Sequence, residues 1–272
     1  MEKLQAAIEK ARTQRQDGMP ARSGREIRKA ATSSVGTLWE ALPLVHISSD
    51  LARKNRIVSF QGGKEAGPYD MLRTRVLQQA TANNWTRVAL VSPHSACGKT
   101  TTIANLVFSF GRQTDLHTMM FDFDLRRIEL GKLLGIQPKH AMGDVLNGDV
   151  DFADHAVRVG SNVALGLNNK TISNSAEILQ SSSTQDRLNE IQAAYQPDIM
   201  LFDLPPLMVS DDNFGFLKNV DCAILLVEAE KTTVKQIDQA ERQLAELTNV
   251  MGIVLNKSHY TSDGYGYGYG YG

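Results

Sequence analysis

Five short apolar runs punctuate the chain from residue 88 onward: Val88 to Val91, Thr118 to Phe123, Ile199 to Leu204, Cys222 to Val227 and Val250 to Leu255. None shows the apolar–polar alternation of a strand with one wet face, so all five are expected to be strands buried on both sides. Helical segments separate them, at Lys99 to Phe110, Leu125 to Leu134, Thr184 to Tyr195 and Thr233 to Leu247. Strands alternating with helices predict an α/β architecture, a doubly wound and mostly parallel sheet covered on both faces. A further helix is expected from Pro68, where Tyr69, Leu72, Val76 and Ala80 share one face.

The flanks differ from this core. Leu4, Ile8 and Ala11 mark one stripe of a short amphipathic helix, but Thr13 to Ser34 is polar and rich in Arg, Gly and Ser. Residues 1–33 hold eight Lys or Arg against four Asp or Glu, a locally basic arm that reads as a solvated linker. Order is expected to resume near Trp39, with Leu38, Leu42, Leu44 and Val45 as apolar anchors. The final ten residues, Asp263 to Gly272, alternate Tyr with Gly and cannot pack a core. The expected organisation is therefore an arm at 1–36, a catalytic domain at 37–258 and a tyrosine–glycine tail at 259–272.

Composition narrows the function classes. The 272 residues carry a formal net charge of −1, which argues against nucleic acid or a membrane surface as the main partner. No apolar run approaches the ~20 residues that span a bilayer, and the N-terminus lacks the apolar stretch of a secretory signal. Two cysteines, Cys97 and Cys222, form no disulfide framework and suit a reducing compartment.

The chemistry begins where the first strand meets its helix, at Ser92-Pro93-His94-Ser95-Ala96-Cys97-Gly98-Lys99-Thr100-Thr101. A strand-to-helix turn with Gly-Lys-Thr at the helix start is a phosphate loop of the P-loop NTPase type. The helix N-terminus and the backbone amides of Ser95, Ala96, Cys97, Gly98, Lys99, Thr100 and Thr101 would form a nest for the polyphosphate of ATP. Lys99 would reach the β- and γ-oxygens, and the Thr100 hydroxyl would bind Mg²⁺. The usual first glycine is replaced by Pro93. Two strand ends strengthen the reading. Asp122 and Asp124 lie at alternate positions where the second strand closes, and Asp203 closes another before Leu204, Pro205 and Pro206. Three acidic strand ends beside a phosphate loop predict a metal–nucleotide site.

These motifs together resemble those of the bacterial tyrosine kinases of capsule and exopolysaccharide synthesis, the CpsD/CapB-like family. Its pattern has Ser-Pro ahead of the loop, then Asp-x-Asp-x-Arg, then an apolar run ending Asp-x-Pro-Pro. Here these are Ser92-Pro93, Asp122-x-Asp124-x-Arg126 and Asp203-x-Pro205-Pro206. The resemblance runs from about Pro68 to the C-terminus. It implies ATP and Mg²⁺ as cofactors, Lys99, Asp122 and Asp124 as catalytic residues, and Thr100, Asp122 and Asp203 at the metal. It also implies Asn256 at the adenine and autophosphorylation of Tyr265, Tyr267, Tyr269 and Tyr271. The partner it implies is a separate membrane co-polymerase that activates the kinase and recruits it from the cytoplasm to the inner face of the membrane. Family members form rings through Glu-x-x-Arg-x-x-Arg on the helix before the loop. The aligned residues are Gly67, Asp70 and Arg73, so a homo-oligomer of this chain is not expected to rest on that motif.

Two other readings compete. A partitioning-type switch of the MinD/ParA kind shares this fold, but it carries a lysine where this chain has His94. A scaffold whose Tyr-Gly tail binds a partner would use ATP only as a structural ligand. Cys97 reads as a small residue that fits the loop. His46, His117 and His140 show no metal spacing, Met119 and Met120 read as core, and Arg126 and Arg127 are candidates to steady phosphate charge.

Overall fold

The apolar runs become five neighbouring strands of a single sheet. The last, Val250 to Leu255, lies at an edge and is only partly buried rather than covered on both sides. In a computed structural model that describes residues 35–209 and 211–258, the chain divides into two units, Met1–Leu38 and Trp39–Gly272. The second holds seven strands: β1 Arg87–Val91, β2 Thr118–Asp122, β3 Val157–Val159, β4 Val163–Gly166, β5 Ile199–Asp203, β6 Cys222–Glu228 and β7 Asn249–Asn256. The tail tyrosines and the basic arm lie outside the described residues.

Strand order is β3-β4-β2-β5-β1-β6-β7. Every pairing is parallel except β3 with β4. β1, β2, β4 and β5 are buried throughout, as continuous apolar strands between two helical layers must be. β7, at one edge, shows alternating burial. At the other edge β3 is three residues long and is covered by the chain at Pro43 to Val45, where Val45 N–H donates to Arg158 O at 2.8 Å.

The helices of this unit are α1 Ser49–Lys54, α2 Gly67–Asn83, α3 Lys99–Gly111, α4 Leu130–Leu134, α5 Met142–Leu146, α6 Phe152–His155, α7 Ser175–Gln180, α8 Ser182–Tyr195, α9 Asp212–Phe216 and α10 Val234–Ala245. α3 buries Ile103, Leu106, Val107 and Phe110 against Val88, Leu90, Met120, Leu201 and Ile224. On the other sheet face Phe121 stacks on Phe202 at 5.0 Å, and Phe123 and Phe216 close the cluster edge-on.

That split between faces positions the site. Side chains alternate along a strand, so Asp122 follows Met120 and Asp203 follows Leu201 onto the α3 face. The two carboxylates are direct partners in the β2–β5 register, and Asp203 is the partner of Leu90 in β1.

Several expectations need correction. The helix predicted over Leu125 to Leu134 forms only from Leu130. Arg127 N–H closes a turn onto Asp124 O at 3.0 Å instead, which carries the chain away from the sheet. β2 also stops at Asp122, so Asp124 is delivered by that turn rather than by strand alternation. Of the anchors near Trp39, Leu42 is buried, whereas Leu38 and Leu44 are exposed.

Candidate phosphate and metal site

The turn from β1 into α3 is built around two left-handed residues. Ala96 has φ 64° and Gly98 has φ 98°. Gly98 is required twice over: its backbone conformation disfavours a side chain, and a Cβ there would collide with the Asn256 amide. Two loop carbonyls are tied back to the end of β7. Asn256 Nδ2 donates to Cys97 O at 2.8 Å, and Lys257 Nζ donates to Ala96 O at 2.6 Å. The first amides of α3 have no partner within the helix and face a ligand site by construction. Thr100 and Thr101 lie in this first turn, half-buried.

Lys99 opens α3 yet is buried, because its chain folds back across the loop. Its Nζ donates to Ser92 Oγ at 3.0 Å, and Ser92 Oγ donates in turn to His94 O at 2.8 Å. Asp124 and Asp203 feel this ammonium's charge, and Asp122 stands beside both acids. Asp122 and Asp203 are 1% exposed. Asp122 Oδ2 and both oxygens of Asp203 have no hydrogen-bond partner. Burial pushes Asp203 up to about 7 despite the opposing charge of Lys99. Asp124 rises to about 6, again through burial and against Lys99 and Arg127. Asp122 is raised well above the ordinary carboxylate range by burial and by Asp203 and Asp124 beside it.

Orphaned buried carboxylates are costly unless a cation compensates them. One ammonium cannot balance three acids. Hard oxygen donors clustered beside an amide nest fit Mg²⁺ carried on a polyphosphate. The structure thus brings Lys99, Asp122, Asp124, Asp203 and the loop together, and it sets Asn256 against the outer side of the loop.

The two arginines after β2 diverge. Arg126 turns away from the loop: its Nε donates to Asp212 Oδ2 and to Ser175 Oγ, both at 3.0 Å, anchoring the turn to α9 and α7. Arg127 reaches the loop, 3.4 Å from Ser95 Oγ. Other supporting residues escaped the sequence reading. Asn168 Nδ2 donates to Asp122 O at 2.7 Å, and Lys257 holds the loop from a position that motif spacing does not mark. Asp70 and Arg73 tie α2 to α3 within the chain. Asp70 accepts from Ser109 Oγ at 2.5 Å and from Arg112, while Arg73 donates to Ser109 O at 2.6 Å.

No family model matches the chain. Individual proteins do. Tyrosine-protein kinase CpsD of Streptococcus pneumoniae is 24% identical over 200 residues, covering 72% of this chain and 86% of CpsD. The putative tyrosine-protein kinase AmsA of Erwinia amylovora is 28% identical over 179 residues, 64% of this chain and 24% of AmsA. The chain is similar to bacterial tyrosine kinases. The kinase domain of the Escherichia coli tyrosine kinase ETK shares the fold, with a TM-score of 0.66 at 20% identity over 76% of this chain and 82% of that domain. The chain thus spans most of CpsD and about a quarter of AmsA. Among the described residues, no helix is long and apolar enough to cross a membrane.

Proposed function

We infer that the chain is an ATP-dependent protein-tyrosine kinase that modifies its own C-terminal tyrosines, Tyr265, Tyr267, Tyr269 and Tyr271, and thereby regulates exopolysaccharide or capsule synthesis. The observation that carries the reading is the unpaired Asp122–Asp203 couple set beside Lys99 at the mouth of a phosphate loop, in a chain similar to tyrosine kinases.

The loop amides and Lys99 would bind the β- and γ-phosphates, with Arg127 adding charge beside Ser95. Thr100, Asp122 and Asp203 would hold Mg²⁺, which when bound neutralises phosphate charge. Asn256, at the outer side of the loop, would border the adenine. Tyrosine's phenol, with pKa ~10, needs a base near neutral pH. Asp122, where it is not taken up by the metal, is the candidate, with Asp124 beside it at the mouth of the loop. Phosphoryl transfer otherwise asks for alignment and charge neutralisation, which Lys99 and the amides supply.

Glycine at every second tail position keeps the substrate segment adaptable enough to enter an active site, its own or a neighbour's. Each added phosphate carries about −1.5 to −2 charges, so a modified tail would dock less well. The proposed partner is a separate membrane co-polymerase, and membrane recruitment would go through it. A switch without kinase activity is disfavoured by His94, which stands where such switches carry a lysine.

The test is deletion of residues 263–272, with ATP binding and phosphotyrosine measured separately and a co-polymerase activator supplied. ATP binding is expected to survive and most phosphotyrosine to vanish. Full-length protein that turns over ATP under these conditions without gaining phosphotyrosine would refute the reading.

A further inference from the structure

One cluster at the phosphate loop has side chains that the nucleotide reading leaves without a role. His94 and Cys97 belong to the loop, and Glu228 ends β6, 131 positions later. One donor atom from each lies within 4.8 Å of the other two. His94 Nδ1 is 3.4 Å from Cys97 Sγ. In a tetrahedral zinc site, bond lengths of ~2.0–2.3 Å set neighbouring donors roughly 3.5 Å apart. The imidazole–thiol pair already has that spacing, and the carboxylate needs a shift of about 1 Å.

We propose that His94, Cys97 and Glu228 form a binding site for Zn²⁺, separate in ligand chemistry from the carboxylate site for Mg²⁺. The spacing His-x-x-Cys is that of a chelating pair on one turn of chain. Thiolate and imidazole favour zinc, whereas magnesium selects oxygen donors such as Asp122 and Asp203. The fourth position is left to water.

The surroundings support the assignment. His94 Nε2 lies 2.9 Å from Thr232 Oγ1, which also accepts from the Glu228 amide at 2.9 Å. His94 Nδ1 now lies 3.0 Å from Ser95 O, to which it donates. Once Nδ1 gives up that bond and its proton for the metal, Nε2–H donates to Thr232, so one hydroxyl orients two of the three ligands. Glu228 Oε1 accepts from Lys257 Nζ at 3.1 Å, whereas Oε2 is buried without a hydrogen bond and has only the Lys231 ammonium, 3.3 Å away. Lys231 is largely exposed and can swing out, leaving Oε2 to the cation while Lys257 keeps Oε1. Cys97 is fully buried at the edge of the hydrophobic core, and the polar contacts of its sulfur are to His94, including the carbonyl at 3.3 Å. On metal binding its thiol proton passes to solvent and the sulfur stays reduced. A cation here would pin the phosphate loop to the end of β6.

Co²⁺ titration of the reduced, full-length chain tests the proposal, because a cobalt–thiolate bond gives a near-ultraviolet charge-transfer band that a carboxylate site cannot. The expected result is a band saturating at one Co²⁺ per chain, abolished by Zn²⁺ in competition and absent in Cys97→Ser. Glu228→Gln, which changes no loop residue, is expected to weaken Co²⁺ binding about tenfold or more. Circular dichroism checks that each variant folds; if Cys97→Ser does not, the wild-type band and Glu228→Gln decide. Cobalt uptake without a thiolate band overturns the proposal, as does a band that Zn²⁺ fails to displace or that Glu228→Gln leaves at unchanged affinity. The outcome does not depend on the kinase reading.

Discussion

Replacing Asp203 by Asn should destroy activity and yet stabilise the ligand-free protein, increasingly so as pH rises. Asp203 is buried, its oxygens lack a well-formed hydrogen bond, and burial pushes it up to about 7 against the Lys99 charge and the neighbouring Thr100 hydroxyl. The sign follows from proton counting. Between about pH 4 and pH 7 the folded chain keeps the Asp203 proton that the unfolded chain has released, so stability falls as pH rises through that window. Integrated from about pH 5 to pH 8, Asp203 costs the wild type roughly 2–3 kcal/mol that Asn cannot lose. Any fixed penalty for burying the amide cancels in this comparison. For a unit of this size the melting-temperature gap should widen by roughly 5–10 °C. Calorimetry of both proteins in EDTA, at several pH values, measures it. Saturating Mg²⁺ and ADP should then stabilise the wild type more than the variant, since the bound cation compensates the carboxylate. A gap that stays constant or narrows with rising pH would refute the claim that Asp203 is an uncompensated buried acid.

Lys99→Ala should abolish ATP turnover while leaving the thermal transition cooperative, because the side chain spans a loop and packs little core; unchanged hydrolysis in the folded variant would contradict the phosphate-loop assignment. Asp122→Asn should lower the phosphorylation rate about 10²–10³-fold with little change in ATP affinity, as expected for a charge that matters most in the transition state. Steady-state kinetics alongside equilibrium nucleotide binding separate the two effects. Gly98→Ala should cost about 1–3 kcal/mol and impair nucleotide binding, since the new methyl meets both a left-handed backbone and the Asn256 amide; a denaturant melt checks the first and nucleotide titration the second.

The central sheet was legible because a strand buried on both faces has to be apolar throughout, and the four- to six-residue length of each run between helical segments separates it from a buried helix. β3 and β4, of three and four residues, are too short to show a period, and their pairing is fixed by contacts such as the Val45–Arg158 bond. The short helices α1, α5 to α7 and α9 escaped for the same reason, whereas α4 was expected but with too early a start. At the site, Lys99, Asp122, Asp124 and Asp203 stood out because a lysine at a strand-to-helix turn and acids at or just after strand ends are the residue types that phosphate chemistry uses there. The partner of Arg126 was not legible, since an arginine after a strand says nothing of what it pairs with, and Asp212 lies 86 positions away. Lys257, Asn168 and Glu228 were silent in sequence for a similar reason: their roles exist only where β6, β7 and the segment after β4 converge on the loop.

The central claim, that this site transfers phosphate from ATP to tyrosine in the chain's own tail, is tested most directly by one incubation. Purified full-length protein is mixed with Mg-ATP and a co-polymerase activator, followed by intact mass and peptide mapping. The account predicts added phosphates on the terminal peptide carrying Tyr265, Tyr267, Tyr269 and Tyr271, absent in Lys99→Ala. ATP hydrolysis that proceeds while the terminal peptide keeps its unmodified mass would contradict it.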